Sequence, residues 1–466
     1  MAGTQAHTRM AAWPGTPGRV WPVNALLQRW WWRNRLWLQP VLGALVGIYL
    51  GVLLVAHPEA LTQVMGGVAW QATVAEARSM LSTVLGIALS SLSIVLSLSM
   101  LVVQNAGGQY SPRLLRLFLH SPGITVVIPV FVATTLYCLV AEHAFGFVSA
   151  TERAPRPALS VALLLLVLCE GALIFQVLNT LQLMRVESLV REVRRYTLRV
   201  AWALQQSRRR DAETPARMPP RAERAWPLRA RRDGFVAAVD ARALLAVATE
   251  RGLAVHVERA IGEPVIQGDE VGWAEPMGPR PTAPREVAEP LLLRSVLMDH
   301  WRDEDADVVL GVRQLVDVAI KALSPGINDP YTAVEVVDQL TFLLCELSRM
   351  RLGPRVLADE AGNARVFLQA PELRDYLELA TDQILRYGAG EPAVALRLLR
   401  LVGAVGQRAK DVRDRQAARE ALHRILSMAE RAQAGSPRLE VLRRHVESLE
   451  QAWEGGPLPS LPAIGF

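Results

Sequence analysis

Four long apolar stretches occupy residues 36–56, 80–103, 124–148 and 158–184, and a charged half follows them. Each is close to the ~20 residues a helix needs to cross ~30 Å of hydrocarbon. Lipid offers no water to backbone N–H and C=O groups, so each stretch is predicted to be a transmembrane helix. The fourth is predicted to continue as a helix to about Gln206, through Val186, Leu189, Val190, Val193 and Leu198.

Beyond that helix the apolar spacing changes. Residues 208–232 are rich in Arg and Pro and predict a linker, with Arg208, Arg209 and Arg210 as a solvated basic run. Residues 235–239 and 254–261 predict short strands, and 241–251 a short helix closed by Gly252. Gly262 and Gly268 bound two turns around two more short strands. This spacing resembles the half-repeat of biotinyl and lipoyl β-sandwich domains. The Lys that such domains modify is absent, so a structural β-module is expected. Residues 276–290 predict a Pro-rich connector and 291–298 a strand.

From 304 on, helices are expected throughout. Val308, Val309, Val312, Leu315, Val316, Ala319 and Leu323 share one face at period 3.6. Asp317 and Lys321 lie four apart on the face expected to be exposed, as a minor ion pair. Asp329 is positioned to cap the next helix, with Pro330 at its first position, where a missing N–H costs nothing. Further helices are predicted over 331–351, 372–387, 391–410, 411–433 and 437–453, with a loose tail from 455. The expected organisation is therefore a disordered or interfacial N-terminus (1–35), a four-span membrane domain (36–206), a linker (207–233), a β-rich module (234–300), an α-helical domain (301–453) and a tail (454–466). The fold class is mainly α: a four-helix polytopic membrane domain, then a cytoplasmic domain with a small β-module and a helical bundle.

Charge adds orientation. Arg29, Arg33 and Arg35 precede the first stretch, Arg113 and Arg116 follow the second, and Arg185, Arg191, Arg194, Arg195 and Arg199 follow the fourth. The opposite loops hold Arg78, Arg153 and Arg156. Short cytoplasmic loops are enriched in Lys and Arg, so both termini are expected in the cytoplasm of a bacterial inner membrane. Trp30, Trp31, Trp32 and Trp37 among the first arginines read as an interfacial anchor rather than a nucleic-acid surface. No A-x-A-like site follows the first stretch, which is expected to act as its own insertion signal. The formal net charge of +6 is carried almost wholly by Arg, since Lys321 and Lys410 are the only lysines. Cys138, Cys169 and Cys345 are scattered, with neither metal spacing nor a disulfide framework.

Three motifs point to a family. Gln109-Tyr-Ser-Pro-Arg-Leu-Leu115 follows the second stretch; Val312-Arg-Gln-Leu-Val-Asp317 and Ala322-Leu-Ser-Pro-Gly-Ile-Asn-Asp-Pro-Tyr-Thr-Ala333 lie in the second half. Together they resemble the bacterial predicted-membrane-protein family called domain of unknown function 2254, over about residues 36–430. The resemblance implies a polytopic inner-membrane protein with a cytoplasmic C-terminal domain, and no assigned activity. Glu170 and the Arg/Pro linker are not features of that resemblance.

Two candidate sites emerge. Gly86, Ser90, Ser93, Ser97 and Gln104 form one polar stripe on the second span, which either packs tightly against another helix or lines a wet path. Glu170 lies near the middle of the fourth span, with Gln176 and Asn179 beyond it. An ionisable group at that depth is either functional or a neutral hydrogen-bonding group. The second candidate is the loop of Ser324, Pro325, Gly326, Asn328, Asp329 and Pro330. It reads either as a rigid corner, with Gly326 at positive φ, or as a helix N-terminus that receives an anion or another subunit.

No H-x-x-x-H, HExxH, P-loop, G-x-G-x-x-G, G-x-S-x-G or CxxC pattern occurs, so catalytic, cofactor and metal residues are expected to be absent. The expected partners are the lipid bilayer and further copies of the chain, not nucleic acid. A homo-oligomeric channel or transport-like protein with a cytoplasmic regulatory domain is favoured over a membrane scaffold or sensor.

Overall fold

The computed structural model describes residues 23–57, 69–105, 123–148, 152, 154–210, 220–278, 284–303 and 305–462. One compact unit lies within residues 21–191 and another within 192–323 and 329–466. The motif Gln109–Leu115, residues 1–22, residues 58–68 between α1 and α2, and residues 149–151 and 153 before α4 lie outside the described residues.

The first unit is built from α1 (Val23–Ala56), α2 (Val74–Asn105), α3 (Ile128–Phe145) and α4 (Pro157–Leu183), with a π-helical turn at Gly123–Val127 leading into α3. Four segments within them are long and apolar enough to span a membrane: Trp37–Ala56, Val74–Gln104, Gly123–Phe145 and Pro157–Leu183. Helix α1 begins at Val23, so residues 23–35, expected as part of a disordered or interfacial terminus, are helical.

Helix α3 packs against α1, α2 and α4. Gly43, Gly47 and Gly51 recur every four residues on α1 and permit the closest of these approaches. A Cβ on Gly43 would lie 2.6 Å from the Pro129 carbonyl oxygen, and one on Gly47 2.2 Å from that of Ala133. Lipid supplies no hydrophobic drive between helices, so such backbone proximity replaces it. Between α3 and α4, Tyr137 Oη donates to the Ala158 carbonyl over 2.6 Å. Between the spans, β1 (Gln71–Ala72) pairs antiparallel with β2 (Ala154–Pro155), and buried Arg156 donates to the Ala72 carbonyl. The outer faces remain apolar and open: Leu45, Val167 and Ile174 are all exposed.

The predicted continuation of the fourth span breaks at Met184 and Arg185, and a separate helix α5 (Val186–Arg210) follows. In the second unit Gly311 admits α5, since a Cβ there would sit 2.0 Å from Thr197 Oγ1. Arg208 is not part of a solvated run: its guanidinium donates to the carbonyls of Arg351 and Gly353, each at 2.6 Å.

The β-rich part differs from expectation in several ways. Trp226–Arg229, expected as linker, is strand β3. It joins a five-stranded sheet with β7 (Glu270–Pro276), β5 (Leu253–Val257), β10 (Ala364–Leu368) and β9 (Arg355–Ala358), in that order. The β5–β10 pair is parallel and the rest antiparallel. A second sheet has the order β6 (Pro264–Val265), β4 (Gly234–Val239), β8 (Val296–Asp299). Helices α6 (Ala241–Glu250) and α7 (Arg285–Arg294) insert Leu244 and Leu292 into the shared core with Val255, Val271 and Val366. A biotinyl-type sandwich is excluded, because two strands arrive from beyond 350 and a parallel pair sits inside the sheet. The module is thus not confined to 234–300. Helix α7 replaces part of the expected connector and strand, with Pro290 inside it.

The helices α8 (Val308–Ala322), α9 (Pro330–Leu347), α10 (Leu373–Gly388), α11 (Pro392–Arg408), α12 (Val412–Ala432) and α13 (Arg438–Trp453) follow the predicted spans closely. They are interrupted only by the β9–β10 hairpin. Buried α11 lies against α9, α12 and α13, and Gly403 and Gly406 make room for Leu449 and Trp453. Asp317 is 8% exposed rather than solvated, and accepts from Arg313 at 3.0 Å, one turn earlier in the helix. The tail is not loose up to its last described residues. Gln407 donates to the Gly456 carbonyl at 2.9 Å, and Arg400 to that of Pro459.

Candidate functional site

The two faces of α2 carry different polar groups. Leu81, Val84, Ala88, Ser91, Val95, Ser99 and Val102 recur at three- and four-residue steps and are buried. Gly86, Ser90, Ser93, Ser97 and Gln104 lie on the exposed side. The predicted stripe is therefore not covered by the other three spans, and a Cβ on Gly86 would meet nothing within 4 Å. Two of its hydroxyls are satisfied inside their own helix: Ser90 donates to the Gly86 carbonyl and Ser97 to that of Ser93, both at 2.9 Å. A helix can present such serines outward at little cost.

Glu170 does not join the stripe. It accepts from Ser91 Oγ at 3.4 Å, on the buried face of α2. This contact starts a polar seam between α2, α3 and α4. Cys169 Sγ donates to Thr134 Oγ1 at 3.3 Å, and Gln176 Nε2 to Ser99 Oγ at 3.2 Å. Further along α4, Gln176 Oε1, Asn179 Nδ2 and Thr180 Oγ1 are buried without a hydrogen-bond partner among the described residues. Gly123 caps this end, because a Cβ on it would fall 1.8 Å from Gln176 Oε1. A buried polar atom with no partner costs about 1–3 kcal/mol, so three together mark a place that ordered water suits. The π-helical turn at Gly123–Val127 adjoins it, and such turns occur often at functional positions.

Sequence reasoning named Glu170, Gln176 and Asn179 but missed Ser91, Ser99 and Thr134. The available signal was periodicity. Ser91 and Ser99 fall in register with Leu81, Val84, Ala88 and Val95, the apolar positions of the same helix.

The loop Ser324–Pro330 is a corner held by its own backbone. Asn328 N–H donates to the Ser324 carbonyl and Asp329 N–H to that of Ala322, both at 2.8 Å. Asp329 Oδ1 accepts from Thr332 N–H at 3.0 Å, the expected cap, with Pro330 next in the helix. These bonds use N–H groups that an anion would need. The positive φ belongs to Asn328 (φ 49°), not to Gly326, around which there is open space. Asn tolerates the left-handed region better than other residues with a Cβ, so the turn is made without glycine there.

Relatives extend over both units. Uncharacterized proteins of Mycobacterium bovis and Mycobacterium tuberculosis are each 30% identical to this chain over 436 residues, covering 92% of it and 83% of their own length. No solved structure matches. With four span-length helices on its N-terminal side and a family profile matching residues 33–404, the chain belongs to the predicted membrane protein family DUF2254.

Proposed function

We propose that this protein is a multi-pass protein of the bacterial inner membrane. It assembles as a homo-oligomer with channel or transport-like activity, and its C-terminal unit is a cytoplasmic regulatory domain. The outward direction of Gly86, Ser90, Ser93, Ser97 and Gln104 carries this reading. Hydrocarbon gains nothing from these groups. Several bundles around one axis would turn them toward each other, where small residues favour close helix contact and hydroxyls tolerate water. The arginines after the second and fourth spans support cytoplasmic termini. The reading assigns no catalytic step, cofactor, metal or nucleic-acid partner.

A membrane scaffold or sensor without transport is the second reading. The intrahelical bonds of Ser90 and Ser97 favour it, because they let the stripe face lipid unaided. The mass of the purified protein, together with ion flux in liposomes, separates the two. An oligomer with flux that Ser93→Leu and Ser97→Leu block, and with Ser97→Cys cross-linking between protomers, supports the channel. A monomer, or an oligomer without flux, supports the scaffold. Reporter fusions at residues 65, 115, 152 and 230 should alternate out, in, out, in.

A further inference from the structure

Five guanidinium groups converge on one cleft of the C-terminal unit. Arg194 of α5, Arg349 just beyond α9, and Arg397, Arg400 and Arg408 of α11 line about 550 Å³ of open space with Phe342, Leu458 and Leu461. The lining carboxylates are Asp338 and Glu346. Both are engaged: Asp338 with Arg397 at 3.5 Å and Glu346 with Arg349 at 3.0 Å.

Arg400 and Arg408 make no ion pair within 4 Å among the described residues, and the one carboxylate of the cleft that acts on Arg400, Asp338, is already paired with Arg397. Their bonds go to neutral carbonyls, Arg400 to Pro459 and Arg408 to Ala404 at 2.9 Å. Burial, then the neighbouring Arg408 and Arg397, push the Arg400 guanidinium down from its ordinary value. Like charges held together in a half-buried cleft repel, and an anion seated between them would relieve that repulsion. Guanidinium forks match phosphate oxygens in geometry, and several of them grip more charge than one carboxylate carries. The volume falls within the range of about 300–1,000 Å³ typical of small-molecule sites, too small for a nucleic-acid duplex. Phe342, with Arg194 stacked 5.5 Å from its ring centroid, adds an apolar wall.

We propose that this cleft binds a small phosphate-bearing ligand, a di- or polyphosphate or a phosphomonoester, through Arg349, Arg397, Arg400 and Arg408. The phosphate comes either from a soluble metabolite or from a lipid headgroup. Binding here is independent of whether the spans conduct ions.

The test is calorimetric titration of the full-length protein in detergent with pyrophosphate, ATP and dihexanoyl phosphatidic acid. At least one probe should bind below about 1 mM and weaken as salt rises. Uptake of pyrophosphate or ATP identifies a soluble source, and uptake of the short-chain lipid alone a headgroup. The double variant Arg400→Gln, Arg408→Gln should lose at least about tenfold in affinity. It should melt no lower than wild type without ligand, since like-charge crowding is relieved. Arg349→Gln, at the rim, provides a second reading of affinity if the double variant folds poorly. Arg374→Gln, which breaks the remote Arg374–Glu420 pair, should leave affinity unchanged. Absence of binding by all three probes overturns the proposal, as does full affinity in folded Arg400→Gln, Arg408→Gln or Arg349→Gln protein.

Discussion

Ser91 Oγ donates to Glu170 between α2 and α4, on the face of α2 away from the serine stripe. The span's polar residues thus fall into two populations with different partners. Ser91 and Ser99 hold the bundle together, while Ser90, Ser93 and Ser97 are left to whatever surrounds it. Ser91→Ala should therefore lower the melting temperature of the purified protein, by about 1 kcal/mol of stability, and leave its oligomeric mass unchanged. Glu170→Gln keeps shape and hydrogen bonding and should melt like wild type. Because Glu170 bonds the buried face of α2 and lies off the outer stripe, the channel reading expects ion flux in liposomes to be unchanged by this variant, and a changed ion preference would move the path from the stripe to the seam.

Gly47 and Gly86 separate packing from exposure. Gly47→Leu forces a side chain into the Ala133 carbonyl and should destabilise the bundle by about 1–3 kcal/mol or more, seen as a lower melting temperature in detergent. Gly86→Leu points into open space and should preserve the fold, and any change in oligomeric mass would then report on the outer stripe. Equal stability of the two variants would contradict the α1–α3 approach described above.

The corner tests backbone strain at one residue. Asn328→Val places a β-branched residue at φ 49° and should cost about 1–3 kcal/mol, whereas Gly326→Val should be nearly neutral. Asp329→Ala removes the cap of α9 and should cost about 1 kcal/mol. Thermal melts of the full chain rank the three. If Gly326→Val were the most damaging, the strain would have been placed at the wrong residue.

Two buried histidines predict acid lability. His256 is 2% exposed and lies between the rings of Trp273 and Phe367, at centroid distances of 3.5 and 4.1 Å. Burial pushes it down to about 4, and burial together with Arg400 pushes His445 down to about 4. Both are neutral in the folded state and protonate more readily once unfolded. Their stabilising contribution is therefore complete above about pH 6.5 and is lost as pH falls toward 4. Each is worth at most about 3 kcal/mol. Melts between pH 8 and 4 should fall in that window, and His256→Phe should flatten the curve.

The β5–β7–β10 register explains why that stack was invisible in the sequence. His256 pairs with Trp273 on one side and Phe367 on the other, and Phe367 comes from a segment more than 100 residues further along the chain. Strand β10 sits in a stretch expected to be helical, since a short hairpin among long helices carries little period of its own. Trp226–Arg229 was hidden likewise among Arg and Pro, and is a strand because β7 offers it an edge.

The sequence alone determined what depends on neighbours along the chain. Four spans follow from runs of apolar residues, because lipid leaves the backbone no alternative to helix. The helices from α8 to α13 follow from period-3.6 patterns, and the start of α9 from Asp329 and Pro330. Tertiary structure decided which face of each element meets which neighbour. It set Ser91 rather than Ser90 against Glu170, placed the left-handed turn at Asn328, and gathered arginines from two helices and a turn into one cleft. Periodicity states that a helix has two faces, but only the packing partners, distant in sequence, decide which of them is buried.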